Sequence, residues 1–179
     1  SICIDAVSER LRGDRGLMEA LIDVDALALQ YASGDLRADP GLVWRAIESA
    51  HRLAPHIAAS GISLAWLPPP LRDVEGIARA VLLQKPMVAF IEMKHVSLRL
   101  RGDATFVRFA VTLNPSCLQY ATEALRGDRA FALWAMETAS PQHRKMCDTV
   151  QLKWLSAALR DDDEIVKLAV EVAGTTASY

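Results

Sequence analysis

Cysteine is scarce in this chain of 179 residues: Cys3, Cys117 and Cys147 are odd in number and share no metal-ligand spacing. Such usage excludes a disulfide framework and sets the expectation of an intracellular, reducing compartment, the cytoplasm or an organelle interior. An excess of one charge is missing too. Twenty Lys and Arg residues face 22 Asp and Glu, a formal net charge of −2. Binders of nucleic acid or anionic membranes carry a strong basic bias, so no nucleic-acid partner is expected. The most apolar stretch, residues 77–93, is interrupted by Arg79, Lys85, Pro86 and Glu92. A membrane helix needs roughly 20 largely apolar residues, so no span is expected, while peripheral association with a membrane complex stays open. Gly-rich phosphate loops, nucleophile elbows and paired-carboxylate constellations are absent from the sequence, and neither an enzyme nor a cofactor is expected. No signal peptide and no initiator Met are present, so the chain reads as a fragment, a processed form or a tag remnant.

What the chain has in abundance is one turn. Leucine-arginine recurs at Leu11, Leu36, Leu71, Leu100, Leu125 and Leu159. An aspartate follows three residues after the leucine in five copies (Asp14, Asp39, Asp103, Asp128, Asp162) and two residues after it in the third (Asp73). Seven residues before each turn leucine stands Ile4, Leu29, Leu64, Met93, Leu118 or Leu152, and four before it Val7, Ala32, Leu67, Val96, Ala121 or Leu155. Apolar residues at that spacing predict one stripe of a short helix. Downstream, apolar residues three, four, seven and eight after the aspartate predict a longer amphipathic helix, as in Leu17, Met18, Leu21 and Ile22.

The turn chemistry is helix punctuation. A carboxylate at a helix start accepts from orphan backbone N–H groups, typically worth ~1 kcal/mol over alanine. Asp14, Asp39, Asp73, Asp103, Asp128 and Asp162 are therefore assigned as structural caps. Arginine at the end of the preceding helix meets the negative end of its dipole. Gly13, Gly102 and Gly127 stand where a left-handed turn residue is expected. The turns are spaced 25, 35, 29, 25 and 34 residues apart, so residues 1–89 and 90–179 read as duplicates offset by 89. Ser8-Glu9-Arg10-Leu11-Arg12-Gly13-Asp14 matches Ser97-Leu98-Arg99-Leu100-Arg101-Gly102-Asp103, and Leu29-Gln30-Tyr31-Ala32 matches Leu118-Gln119-Tyr120-Ala121. Periods of this size mean helical units that bury a continuous core only by stacking.

Two of the units, Leu29-Gln30-Tyr31-Ala32-Ser33 with Leu36-Arg37-Ala38-Asp39 and Leu118-Gln119-Tyr120-Ala121-Thr122 with Leu125-Arg126-Gly127-Asp128, resemble the short helical repeats called domain of unknown function 4116. The third and sixth units depart from that pattern, with Trp in place of Tyr and Pro68-Pro69-Pro70 in one turn approach. The resemblance implies a helical-repeat fold and brings no activity and no catalytic residues.

Three Arg-Gly-Asp tripeptides (Arg12 to Asp14, Arg101 to Asp103, Arg126 to Asp128) invite an adhesion reading, but each aspartate is already required as a cap. The six turn arginines, which suggest a basic ladder, lie close to the turn aspartates and are expected to be neutralised by them. His51 and His56 fall in one long connection, and His143, Arg144, Lys145 and Cys147 in its duplicate. Scattered His and Cys are mostly structural, so no metal is assigned. Trp44, Phe109 and Trp134 fall five or six residues after their aspartates, off the main stripe. They mark either a wide core face or a hydrophobic patch that docks a partner.

The expectation is an all-α fold in a single domain, a helical-repeat, solenoid-like array of six short-helix/long-helix pairs in two duplicated halves. The expected role is non-enzymatic protein–protein interaction or scaffolding, as a structural or accessory subunit whose partners are other protein subunits. The alternative is an interaction module cut from a larger effector or enzyme whose activity lies outside these residues. Candidate partner-binding residues are Trp44, Phe109, Trp134, His51, His56, His143, Arg144 and Lys145.

Overall fold

The computed structural model describes residues 8–53, 61–138 and 152–174, and every regular element among them is helical. The protein is all-α, and no helix among the described residues is long and apolar enough to cross a membrane. Backbone contacts divide the chain into two compact units, 1–85 and 86–179. The first unit holds α1 (Glu9–Arg12), α2 (Arg15–Val24), α3 (Gly34–Arg37), α4 (Pro40–Leu53), α5 (Pro69–Arg72) and α6 (Glu75–Gln84). The second holds α7 (Ala89–Met93), α8 (Leu98–Gly102), α9 (Ala104–Leu113), α10 (Glu123–Arg126), α11 (Arg129–Thr138), α12 (Ala157–Arg160) and α13 (Asp163–Gly174).

The expected short helix is in fact two pieces with a break between them. Leu29 lies in a 3-10 helix, Ala26–Tyr31, and Leu36 in the single α-turn of α3. Between them Ala32 is extended (φ −60°, ψ 153°), as is its duplicate Ala121 (φ −62°, ψ 156°). The apolar spacing survives because all three side chains turn inward, with Leu29 and Ala32 buried and Leu36 half-buried. In three copies the break is built by a serine three residues before the turn leucine. Ser33, Ser97 and Ser156 accept the backbone N–H of Leu36, Leu100 and Leu159 at 3.4, 3.2 and 3.4 Å. A serine that can bond its own backbone competes with helix continuation and starts a new helix instead.

At the turn itself, Asp14, Asp39, Asp103 and Asp128 accept from Leu17, Leu42, Phe106 and Phe131 at 2.9, 2.8, 2.8 and 2.7 Å. Asp162 accepts from Glu164 and Ile165. Asp73 departs from the expected role. It closes α5, and Val74 takes the N-cap position of α6, with no side-chain hydrogen bond. The reason is register: Asp73 stands two residues after its leucine, so it falls at the bridging position that Gly13, Ala38 and Gly127 occupy elsewhere. Its backbone (φ −92°, ψ −6°) matches theirs (−90°, −7°; −88°, −7°; −96°, −6°). Those values also correct the expectation of a left-handed turn residue. The bridge region is open to any L-residue, which explains why Ala and Asp serve there as well as Gly.

Successive repeats are stitched through the turn arginines. The carbonyl of Arg12 accepts the N–H of Ser33 at 3.0 Å, that of Arg101 the N–H of Thr122 at 3.0 Å, and that of Arg126 the N–H of Ser156 at 3.1 Å. After α3 the corresponding residue is Pro68, which has no N–H to give. There the Arg37 guanidinium donates to the carbonyl of Trp66 at 3.3 Å, and Arg126 reaches Trp154 in the same way at 3.4 Å. Arg72 donates to the carbonyls of Leu67 and Ala65. These three arginines therefore serve backbone acceptors, not the turn aspartates expected to neutralise them. The aspartates of later repeats pair instead with the arginine that follows the preceding cap, Arg15 with Asp39 at 2.8 Å and Arg129 with Asp162 at 2.8 Å.

Candidate functional site

Helix α4 is the longest in the first unit, and its apolar residues recur so that Leu42, Val43, Ala46, Ile47 and Ala50 are buried. Ser49, equally buried, donates its hydroxyl to the carbonyl of Ile22 at 2.7 Å and so fixes α4 on α2. On the same seam Arg45 makes a bidentate pair with Asp23, at 2.9 and 2.6 Å, and approaches Glu19 at 4.0 Å. The Arg45 hydrogen bond holds the Asp23 carboxyl below the usual carboxylate range. Arg52 adds a longer contact to Asp23 at 3.9 Å and donates to Ser49 at 3.4 Å.

The opposite side of α4 packs on α6 and leaves a groove of about 350 Å³ lined by Ile47, Glu48, His51, Arg52, Ala80, Leu83 and Gln84. Gln84 is held in its wall by two hydrogen bonds. Its amide donates to the carbonyl of Ile47 at 3.3 Å while its oxygen accepts from Ile62 N–H at 2.8 Å. Lys85 donates to the carbonyl of Gly61 at 3.1 Å, and a side chain on Gly61 would stand 2.7 Å from Lys85 Cε and 2.8 Å from Gln84 Oε1. Glycine at residue 61 lets the chain cross the end of α6 there without displacing the Lys85 and Gln84 side chains. Upstream, Trp44 lies over Gly76, where an added Cβ would meet its ring at 3.4 Å. Trp44 and Leu83 remain 39% and 54% exposed, an apolar face open to water. The groove can take up an apolar side chain, with a carboxylate, an imidazole, a guanidinium and an amide among the groups that line it.

The sequence candidates separate accordingly. Trp44 and His51 come to this α4–α6 face, with His51 in the groove wall. Phe109 and Trp134 lie in the second unit and are half-buried. Phe109 meets Phe106 at 6.4 Å between centroids, and Trp134 meets Phe131 at 5.5 Å. Arg108 sits 4.6 Å from the Trp134 centroid and 5.7 Å from that of Phe131, so these rings fasten α9 to α11. His56, His143, Arg144 and Lys145 lie outside the described residues. Among the described residues no group of three or more His, Cys, Asp and Glu is placed to hold a metal. Cys117 is buried, and burial pushes its thiol up, which leaves it a packing residue and not a nucleophile. Leu83 and Glu48 escaped the sequence reading.

The fold and groove define an all-α protein with an exposed apolar groove in its first unit. No protein-family model matches the chain, that of the helical repeat it resembles included, and no curated protein or solved structure matches it.

Proposed function

We propose that this chain is a non-enzymatic protein-interaction or scaffolding module, a structural or accessory subunit that joins other proteins through the α4–α6 face. The reading is carried by one observation: Trp44 and Leu83 stand exposed along the same face, with an apolar groove between the helices that bear them. Exposed large apolar side chains beside a polar rim mark association surfaces, and tryptophan is the residue most enriched where binding energy concentrates. The finer architecture, a solenoid-like stacking of helix pairs within each unit, belongs to the same proposal. It is supported by the recurrence of the arginine-carbonyl stitch between neighbouring repeats.

The test is purification of the tagged full chain from an extract of its source at high salt, with quantitative mass spectrometry of the eluate. A fixed, stoichiometric set of companions is expected. An eluate empty of companions, from protein shown to be folded by circular dichroism, overturns the reading.

A further inference from the structure

The third repeat, residues 61–85, lacks contacts that other repeats keep, and the junction between the fifth and sixth repeats is its control. There the turn is tied twice. The Arg126 guanidinium donates to the carbonyl of Trp154 at 3.4 Å, and the Arg126 carbonyl accepts the N–H of Ser156 at 3.1 Å. Between the second and third repeats the first tie is present, from Arg37 to the carbonyl of Trp66 at 3.3 Å. The second has no donor, because Pro68 stands where Ser156 does. The backbone is the same at both residues (φ −69°, ψ 157° against −61°, 159°), so proline removes only an N–H and a hydroxyl that starts a helix. At the next turn Val74 holds the N-cap position of α6 without a side-chain acceptor.

The two sides of α4 differ in the same sense. Toward the first repeat the bonds are short: Ser49 to the carbonyl of Ile22 at 2.7 Å, Arg45 to Asp23 at 2.6 Å, Arg15 to Asp39 at 2.8 Å, and the Ser33 N–H to the carbonyl of Arg12 at 3.0 Å. Toward the third, among the described residues, they are Arg37 to Trp66 and Gln84 to the carbonyl of Ile47, both at 3.3 Å and long for N–H donors. Apolar burial does not separate the two sides, since Ile22 and Leu42 are as deeply buried as Ile77 and Val81. Within itself the third repeat is well knit. Arg72 donates to the carbonyls of Leu67 and Ala65 at 2.6 and 3.2 Å, Gln84 accepts from the Ile62 N–H at 2.8 Å, and Lys85 donates to Gly61 at 3.1 Å. Pro69 and Pro70 pre-set the backbone of α5. A segment bonded firmly inside and loosely outside opens as a unit.

We propose that residues 61–85 open from α4 as one cooperative unit while the first two repeats stay closed, with Pro68 and Val74 setting how often. The opening belongs to the chain alone and does not depend on the interaction reading. A partner that spans α4 and α6 binds the closed form, so the same equilibrium sets the fraction of chain competent for it.

The test is amide hydrogen exchange of the full chain at low denaturant concentrations. A helix of ten residues is marginal in water without its packing face, so α6 amides exchange whenever the unit opens. Their protection is expected to lie about tenfold or more below that of α2 and α4. Ser49→Ala removes a bond that the open form keeps, so it should lower protection in α2 and α4 about fivefold and leave α6 unchanged. Pro68→Ser supplies the missing donor and hydroxyl. It should raise α6 protection about fivefold, the loss of proline's stiffness having taken part of the gain. Val74→Asp should raise it by about the same factor through the cap. Equal protection in α6, α2 and α4 overturns the proposal, as does a fall in α6 that matches α2 in Ser49→Ala. Protection in α6 that neither Pro68→Ser nor Val74→Asp raises overturns it as well.

Discussion

The seam between α2 and α4 in the first unit is ionic, and the seam between α9 and α11 in the second is aromatic. With the offset of 89, Glu19 corresponds to Arg108, Asp23 to Thr112 and Arg45 to Trp134. In the first unit the later helix supplies the arginine and the earlier helix the acids, with Arg45 on Asp23 at 2.6 Å. In the second the earlier helix supplies the arginine, and Arg108 lies 4.6 Å from the Trp134 centroid. The helices meet in both units, but the chemistry across the meeting has been exchanged. What is held constant is a backbone arrangement, fixed by caps and buried apolar residues. The outer contact is free to change so long as the two helices present complementary groups.

That comparison can be sharpened by mutation, beginning with the larger effects. Trp134→Ala removes a half-buried ring, its contact with Phe131 and the surface under Arg108. A loss of about 2 kcal/mol is expected, less than for a fully buried aromatic. Thermal or denaturant unfolding checks it, and a near-zero change would mean the aromatic seam holds nothing. Next come the caps. Asp128→Ala should cost roughly 1 kcal/mol without altering partner binding. Val74→Asp should gain a similar ~1 kcal/mol, because Val74 already has the N-cap backbone (φ −80°, ψ 107°) and lacks only the acceptor. Should Asp128→Ala abolish binding while the melting temperature holds, the turns are functional and the capping account is wrong.

The two arginines give the smaller and more discriminating pair. Arg108→Met should cost about 0.5–1 kcal/mol, and nearly the same in 1 M salt, since a cation stacked on a ring is screened little. Arg45→Met breaks an exposed ion pair, so its modest effect on the melting temperature should shrink in high salt. Salt dependence in both variants, or in neither, would erase the distinction between the seams.

Acid separates them by a further route. The folded-state values of Asp23 and Asp39 are lowered, Asp23 chiefly by Arg45 and Asp39 chiefly by the Leu42 N–H and then Arg15. A lowered carboxylate contributes stability that is present above its unfolded value, about 3.9, and is lost as pH falls through the folded value. The protection of amides in α2 and α4 against exchange, relative to the intrinsic rate at each pH, should therefore fall below about pH 4. The Arg108–Trp134 seam contains no carboxylate, and exchange across α9 and α11 should respond less. A uniform response across both seams would count against this account.

Much of the fold was readable beforehand because it is local. Aspartate three residues beyond a leucine, followed by an amphipathic run, needs only a helix start and a neighbour to bury against, so five caps fall where their spacing put them. The serine starts of α3, α8 and α12 carried an equally plain signal, a hydroxyl three residues before the leucine, that the apolar stripe concealed. Asp73 misses the cap because register, not residue type, decides which residue stands at the helix start, and there it is Val74. The candidate site was barely legible. Trp44 and His51 were visible as unusual residues, but Leu83 looked like one more apolar position until α6 was seen to turn it outward.

The sequence by itself determined helix class, helix starts and the inward stripe, since capping and amphipathic periodicity act over three to eight residues. Only the tertiary structure decided which arginine pairs with which aspartate, which tryptophan packs inward and which stays in water, and that α4 and α6 leave a groove between them. Those outcomes depend on side chains brought together from distant parts of the chain, where packing and desolvation act on groups whose separation in sequence says nothing of their separation in space.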